Sequence, residues 1–206
     1  MTSLDLPPGR HRDVTRMLAL VALVWAASVA IAAGSGALAR LWMPAIAGLV
    51  ALGIMLPTLW YFAVPASRAW ADNVGLRTIT AFHAWRVPAA LMFFWYGAHG
   101  QLPTLFWLLA GTGDLISGLW AILVVSKRKA SLAEFARMHR FGFAVFVIAV
   151  GTGLAFTLML DPRMAPIASL PLALIPLFGV GISGASHIVA FDMLWRQGGQ
   201  GAPTRA

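Results

Sequence analysis

The 206-residue chain contains no cysteine and only seven acidic residues. Without cysteine it has no disulfide, no thiolate metal ligand and no thiol nucleophile. Charged residues make up 11% of the chain, less than half of the share of about 25% that is usual in soluble domains. So few polar residues cannot cover the core of a soluble domain of this size. Hydrophobic residues dominate instead, at 60% of the chain, and the mean hydropathy is +0.80.

These hydrophobic residues are concentrated in six segments. A helix needs about 20 apolar residues to cross the roughly 30 Å hydrocarbon layer of a bilayer, and the six segments leave little chain for a separate soluble domain. We therefore predict an all-α, polytopic membrane helix bundle, a single integral-membrane domain over residues 1–206 with six transmembrane helices. The predicted spans are about 17–39, 41–64, 78–98, 104–125, 141–160 and 172–195, and residues 198–206 are predicted to form a disordered tail.

The basic residues are distributed unequally between the two sides of these spans. Twelve of the fifteen lysines and arginines lie in the two tails and in the gaps before spans three and five, whereas the alternate gaps hold only Arg40 and Arg163. Because cytoplasmic loops carry the excess of Lys and Arg, this pattern predicts a bacterial inner-membrane protein with both termini in the cytoplasm. It also accounts for the net charge of +8 without nucleic-acid binding.

The first span has an alternative interpretation as a signal peptide. Three arginines precede it, and Ala37-Leu38-Ala39 has the small residues of a cleavage site. The apolar run is longer than the roughly 7–15 residues of a secretory signal, which favours a retained span. Cleavage would leave five spans and would put the two mature termini on opposite sides.

Four ionisable residues stand out by their depth inside the predicted spans: His83, Arg86, Asp114 and His187. Such a group is costly at membrane depth and usually faces the bundle interior. At a rise of about 1.5 Å per residue, Arg86 and His187 each lie roughly 12 Å from the cytoplasmic face. His83 shares a helical face with Arg86. We therefore predict that the four residues form one intramembrane polar cluster with a binding or a structural role.

An ion pair between Arg86 and Asp114 is expected from the chain path. The tight turn at 100–103 makes spans three and four antiparallel neighbours. The pair has two interpretations, a structural lock between helices and a site for a substrate, proton or ion. The third alternative is that no pair forms and the two side chains snorkel separately.

His187 also has two interpretations. It can hydrogen-bond between helices, for example with Ser183 one turn earlier, or act with His83 as an axial ligand of haem. The predicted depths of the two histidines differ, which disfavours haem, so no cofactor is predicted. His99 and His139 are predicted to be solvated at the ends of spans three and five. No HExxH motif or His/carboxylate cluster indicates a catalytic metal site.

One stretch of the chain carries a resemblance. It runs from Trp85-Arg86 through the Gly100–Pro103 turn and Phe106 to Ala110-Gly111-Thr112-Gly113-Asp114 and Gly118. It resembles an uncharacterised group of small bacterial multi-pass membrane proteins with an Arg in one span, an LP..F turn, a G.GD...G helix and a His in the last span. The resemblance implies that Arg86, Asp114 and His187 form a connected set, and it implies no activity.

No nucleotide-binding motif or catalytic constellation is recognisable in the sequence, so an enzyme is the least favoured class. We predict a non-enzymatic membrane protein with a structural or accessory role. Its expected partners are the lipid bilayer and either another membrane protein or further copies of itself. A small-solute or proton-coupled transporter or channel is the alternative, and a haem-binding electron carrier is the third class.

Overall fold

The computed structural model describes the backbone of residues 8–200 and the side chains of residues 11–198. Regular structure in this range is entirely helical, as predicted. The α-helices are α1 (Pro8–Gly34), α2 (Met43–Ala63), α3 (Pro65–Phe82), α4 (Arg86–Ala98), α5 (Thr104–Ser126), α6 (Leu132–Leu158) and α7 (Val180–Gln200). Short 3₁₀ helices lie at Leu38–Arg40, His83–Trp85 and Pro162–Ala168, and a π-helical turn at Ile175–Gly179 precedes α7.

Five segments of the described chain are long and apolar enough to cross a membrane. They are His11–Gly34, Met43–Ala63, Thr104–Ser126, Leu132–Leu158 and Ile175–Gly198. Large apolar side chains lie on their outward faces: Leu23, Ile31 and Leu123 are 64–71% exposed. Soluble monomers rarely expose apolar patches of this extent, so the surface is consistent with a lipid environment.

The predicted third span, 78–98, is not one continuous helix. It is divided between the end of α3, the 3₁₀ turn His83–Trp85 and α4. The 13 residues of α4 have a length of about 20 Å, which is too short to cross the hydrocarbon layer alone. Pro88 lies in the first turn of α4, where its missing N–H leaves no intrahelical bond unmade. The count of six spanning helices is therefore not confirmed.

The other predicted boundaries differ from the structure by varying amounts. The α5 helix coincides with predicted span 104–125 to within one residue, whereas α6 begins nine residues before predicted residue 141. The reason is a capping box, in which Ser131 accepts from the Glu134 N–H and Glu134 accepts from the Ser131 N–H. At the C-terminus α7 continues to Gln200, into the predicted tail, and residues 201–206 lie outside the described range.

Helix α4 packs antiparallel against α5, as predicted from the tight turn at 100–103. Gly100 in this turn has φ +70°, a conformation that other residues rarely adopt. Near Arg86 the two helices approach closely at Gly118, where an added Cβ would lie 2.7 Å from Val87 Cγ2. Helices α5 and α6, and α2 and α7, make the other extensive contacts. This packing brings α4, α5, α6 and α7 around one buried polar region.

A separate polar network joins α2, α3 and α7 at the end of the bundle where α2 ends. The Tyr61 hydroxyl donates to Asp192 Oδ2 at 2.6 Å, and Arg196 Nε donates to the same oxygen at 3.0 Å. Arg196 also pairs with Asp72 at 2.7 Å. By its sequence position Arg196 is one of the basic residues of the predicted C-terminal tail. In the structure it links three helices.

Candidate functional site

Five ionisable residues meet inside the bundle, and we call them the polar centre: His83, Arg86, Asp114, His139 and His187. Their exposed fractions range from 0% for the three histidines to 9% for Asp114. They come from five different parts of the fold: the 3₁₀ turn His83–Trp85, α4, α5, α6 and α7. Burying this many polar groups is favourable only when they are hydrogen-bonded to one another.

Arg86 and Asp114 form the predicted ion pair. Arg86 Nε donates to Asp114 Oδ1 at 2.8 Å, and Arg86 Nη2 lies at the same distance from the same oxygen. Arg86 Nη1 donates to the Gly142 carbonyl oxygen at 3.1 Å, which links α4 to α6. Both contacts of Arg86 with Asp114 therefore go to the same carboxylate oxygen, Oδ1. No hydrogen bond from the described residues reaches Asp114 Oδ2.

The hydrogen-bond partners determine which nitrogens of His187 and His139 carry protons. Arg86 Nη1, which is only a donor, lies 3.4 Å from His187 Nε2, so that nitrogen is the acceptor and the proton is on Nδ1. His187 Nδ1 then donates to His139 Nδ1 at 3.0 Å. His139 Nε2 in turn donates to Thr80 Oγ1 at 3.0 Å, because the Thr80 hydroxyl already donates to the Leu76 carbonyl.

His83 is held in a different way. Its Nε2 lies 3.2 Å from Ser186 Oγ, and the Ser186 hydroxyl donates to the Ser183 carbonyl, so His83 Nε2 is the donor. His83 Nδ1 therefore carries a lone pair, and it is buried without a hydrogen-bond partner in the described part of the chain. One ring nitrogen each from His83, His139 and His187 lies within 4.8 Å of the other two.

The structure brings together all four residues of the predicted cluster and adds His139. The prediction that His139 is solvated is wrong, since its exposed fraction is 0%. Because α6 begins at Leu132, His139 lies two turns inside the helix and on its buried face with Phe135 and Gly142. The Ser131-x-x-Glu134 capping signature is the sequence signal from which this start could have been predicted. His99 is exposed, as predicted.

The contacts of His187 differ from the predicted one. His187 bonds to His139 and Arg86, whereas the Ser183 hydroxyl accepts from Trp85 Nε1 at 3.0 Å. The rings of His83 and His187 are stacked, with centroids 4.1 Å apart and planes at 27°. Axial ligands of one haem lie on opposite faces of the porphyrin. The stacked rings leave no gap for a porphyrin plane between them.

An apolar pocket of about 360 Å³ lies on the other side of Asp114 from the histidines. Its walls come from the first halves of α2 and α5, the second half of α6 and the 3₁₀ helix Pro162–Ala168. Asp114 is the ionisable residue among the lining residues, and Phe106, Phe146 and Met164 are typical of the rest. Asp114 thus separates an apolar pocket from a buried histidine cluster.

Residues 40–195 match the model of a family described as a domain of unknown function, DUF8737. No curated protein and no solved structure shows significant similarity to the chain. The matched residues include the whole polar centre and every residue that lines the apolar pocket. They also include the stretch that resembles uncharacterised membrane proteins, although a bacterial origin stays a prediction. Because the match covers most of the 206 residues, the chain belongs to the DUF8737 family.

Proposed function

We propose that the protein is a non-enzymatic carrier, in the bacterial inner membrane, for an amphiphilic amine. The proposed ligand places an apolar body in the pocket and an ammonium group on Asp114. The observation that carries the proposal is Oδ2 of Asp114, a carboxylate oxygen that accepts no hydrogen bond from the described residues and belongs to a residue that lines an apolar pocket. This proposal develops the transporter alternative rather than the purely structural one.

The membrane arrangement within this proposal has six spans, with both termini in the cytoplasm. Five spans correspond to the apolar helical segments. The sixth combines the end of α3, the 3₁₀ turn and α4, which follow one another without a loop. Interrupted helices at membrane depth are tolerated where the broken part is buried in protein, and His83 in the 3₁₀ turn is fully buried. The excess of basic residues in alternate gaps supports the orientation.

The charge of the polar centre selects the type of ligand head group. Arg86 balances the charge of Asp114 and bonds to Oδ1 only. The free oxygen is an acceptor, so it requires an N–H or O–H donor. A hydrogen bond between a carboxylate and an ammonium is charge-assisted and roughly twice as strong as a neutral one. A ligand carboxylate has no N–H or O–H to donate to this oxygen.

The shape of the pocket selects the rest of the ligand. A volume of about 360 Å³ lies within the range of roughly 300–1,000 Å³ found for small-molecule sites. The lining is aliphatic and aromatic, with Thr157 as a hydroxyl besides the Asp114 carboxylate. A purely structural ion pair accounts for the contact between Arg86 and Asp114. It does not account for an apolar pocket lined by the residue that carries the unused oxygen.

The test uses dansylcadaverine, a fluorescent naphthalene compound that ends in a primary amine. We expect saturable binding to the purified protein, with a rise in fluorescence as the probe enters the apolar pocket. The N-acetylated probe has lost its positive charge and should bind at least tenfold more weakly. Asp114→Asn should weaken binding of the amine by about tenfold or more, because one charge-assisted hydrogen bond contributes about 1.5–3 kcal/mol.

Ser117→Ala is the matched control variant. Ser117 lies on the same helix as Asp114 and is also buried, but it is not among the pocket residues. This variant should bind the amine as the parent protein does. Equal binding of the amine and its acetylated form, or equal binding by Asp114→Asn, would contradict the proposal. Uptake of the bound amine by proteoliposomes then separates a carrier from a receptor.

A further inference from the structure

We propose that His83, His139 and His187 bind one transition-metal ion through their Nδ1 atoms, and that this ion is monovalent copper. The three rings are fully buried, and each brings one nitrogen within 4.8 Å of the other two. The site lies on the opposite side of Arg86 from the apolar pocket. It is therefore independent of the proposed binding of an amine.

The second nitrogen of each ring is already held by another group. His83 Nε2 bonds to Ser186, His139 Nε2 bonds to Thr80, and His187 Nε2 faces Arg86. A metal-binding histidine usually donates its other ring N–H to a partner, which fixes the ring and directs the free nitrogen to the ion. His83 and His139 fit this pattern, whereas His187 Nε2 accepts from Arg86. Nδ1 is the nitrogen that each of the three rings has left to offer.

Two of the three Nδ1 atoms carry a lone pair in the structure as it stands. His83 Nδ1 has no partner at all among the described residues, and a buried polar atom left in this way is destabilising. His139 Nδ1 accepts the proton of His187 Nδ1 at 3.0 Å. A metal ion between these rings would supply the missing interaction to His83 and would replace that proton as the partner of His139.

His187 becomes a ligand by moving its proton from Nδ1 to Nε2. This change ends the contact between His187 Nε2 and Arg86 Nη1, which at 3.4 Å is the longest hydrogen bond of the polar centre. Arg86 keeps its bonds to Asp114 and to the Gly142 carbonyl. No proton is taken up or released in this step, and the metal keeps its oxidation state.

A three-coordinate site requires the rings to move. With metal–nitrogen bonds of about 2.0 Å, three ligands in a plane lie about 3.5 Å from one another. The Nδ1 atoms of His139 and His187 are 3.0 Å apart, and one ring nitrogen of each histidine lies within 4.8 Å of the other two. The distances are therefore close to those required, but the rings of His83 and His187 are stacked with planes at 27°, so one of them has to rotate before both lone pairs point at one ion.

The charge balance favours a monovalent ion. Three neutral imidazoles leave the whole charge of the ion in place, and Asp114, the carboxylate of the polar centre, is already balanced by Arg86. The cost of burying an ion rises with the square of its charge in the Born description. Imidazole is a suitable ligand for copper as well as for zinc, and the cuprous ion adds only one unit of charge.

The experiment measures copper bound to the full-length protein, purified with a tag that contains no histidine. Protein loaded with Cu(I) under anaerobic reducing conditions should retain one copper per chain after gel filtration. X-ray absorption should give a cuprous edge and a shell of nitrogen ligands at about 2.0 Å. Competition with bicinchoninate should show at least tenfold weaker binding by His139→Gln and unchanged binding by His99→Gln, whose side chain is exposed.

Thr80→Ala is a second variant that keeps all three ligands. It removes the partner of His139 Nε2, and loss of such a partner lowers metal affinity by roughly 10–100-fold. This result would distinguish the histidine site from adventitious binding elsewhere on the chain. Absence of retained copper, equal affinity of His139→Gln and the parent protein, or stoichiometric Zn²⁺ in place of copper would each overturn the proposal.

Discussion

Gly142 on α6 lies directly against His187 on α7. A Cβ added to Gly142 would be 2.7 Å from His187 Cε1 and 3.4 Å from Arg86 Nη1, and the Gly142 carbonyl accepts from the same Nη1. The absence of a side chain at residue 142 is therefore what allows α6 and α7 to hold His187 and Arg86 in contact. The glycine belongs to the polar centre although it has no functional group.

Gly142→Ala should destabilise the protein by about 1–3 kcal/mol, the usual effect of overpacking a buried site. Thermal unfolding in detergent, followed by tryptophan fluorescence, measures the loss. Gly151→Ala is the control on the same helix, because its added Cβ would meet no neighbour within 4 Å. Equal stability of the two variants would show that the close contact at residue 142 does not affect the free energy of unfolding.

Asp114→Asn should lower stability by about 3–5 kcal/mol, because it leaves the buried Arg86 cation without a counter-charge. Adding Arg86→Gln should restore part of this loss, since the unpaired charge is then removed. The free energy of unfolding of both single variants and of the double variant forms the test. Simple addition of the two losses would show that the residues are not energetically coupled.

Ala149→Leu should weaken binding of dansylcadaverine by at least tenfold. Ala149 lines the apolar pocket but takes no part in the ion pair, so the larger side chain fills the space that the probe requires. Stability should change by less than the overpacking value of about 1–3 kcal/mol, since an open pocket accommodates the added atoms. Normal probe binding by this variant would place the amine elsewhere.

The cysteine-free sequence makes the predicted orientation directly testable. Ser35 lies between α1 and α2, and Ser126 is the last residue of α5; both are exposed. In whole cells, an impermeant maleimide should label Ser35→Cys, and it should label Ser126→Cys only after the membrane is permeabilised. The parent protein without cysteine is the control. The reverse labelling pattern would show that the topology is opposite to the predicted one.

Hydropathy alone located α2 and α5 almost to the residue, because each is a continuous apolar run with turn residues at its ends. The start of α6 was missed because residues 132–140 are polar enough to look like a loop, and His139 was missed with it. Hydropathy alone does not show the division of residues 78–98 into the end of α3, the 3₁₀ turn and α4. The pair of Arg86 and Asp114 was predictable, because a tight turn makes their two spans antiparallel neighbours. The cluster of three histidines was not, because it depends on how the 3₁₀ turn, α6 and α7 are positioned relative to one another.

The position of Arg86 and Asp114 on opposite sides of the turn at 100–103 has a consequence for biogenesis. A lone arginine at the centre of an inserting helix costs about 2.5–3.5 kcal/mol, and α4 is too short to offset this with its apolar residues. The compensating carboxylate is synthesised 28 residues later. We therefore expect segment 78–98, the sixth span of the proposed arrangement, to become stable in the bilayer only when α5 has emerged, and the two to enter together as a hairpin during translation.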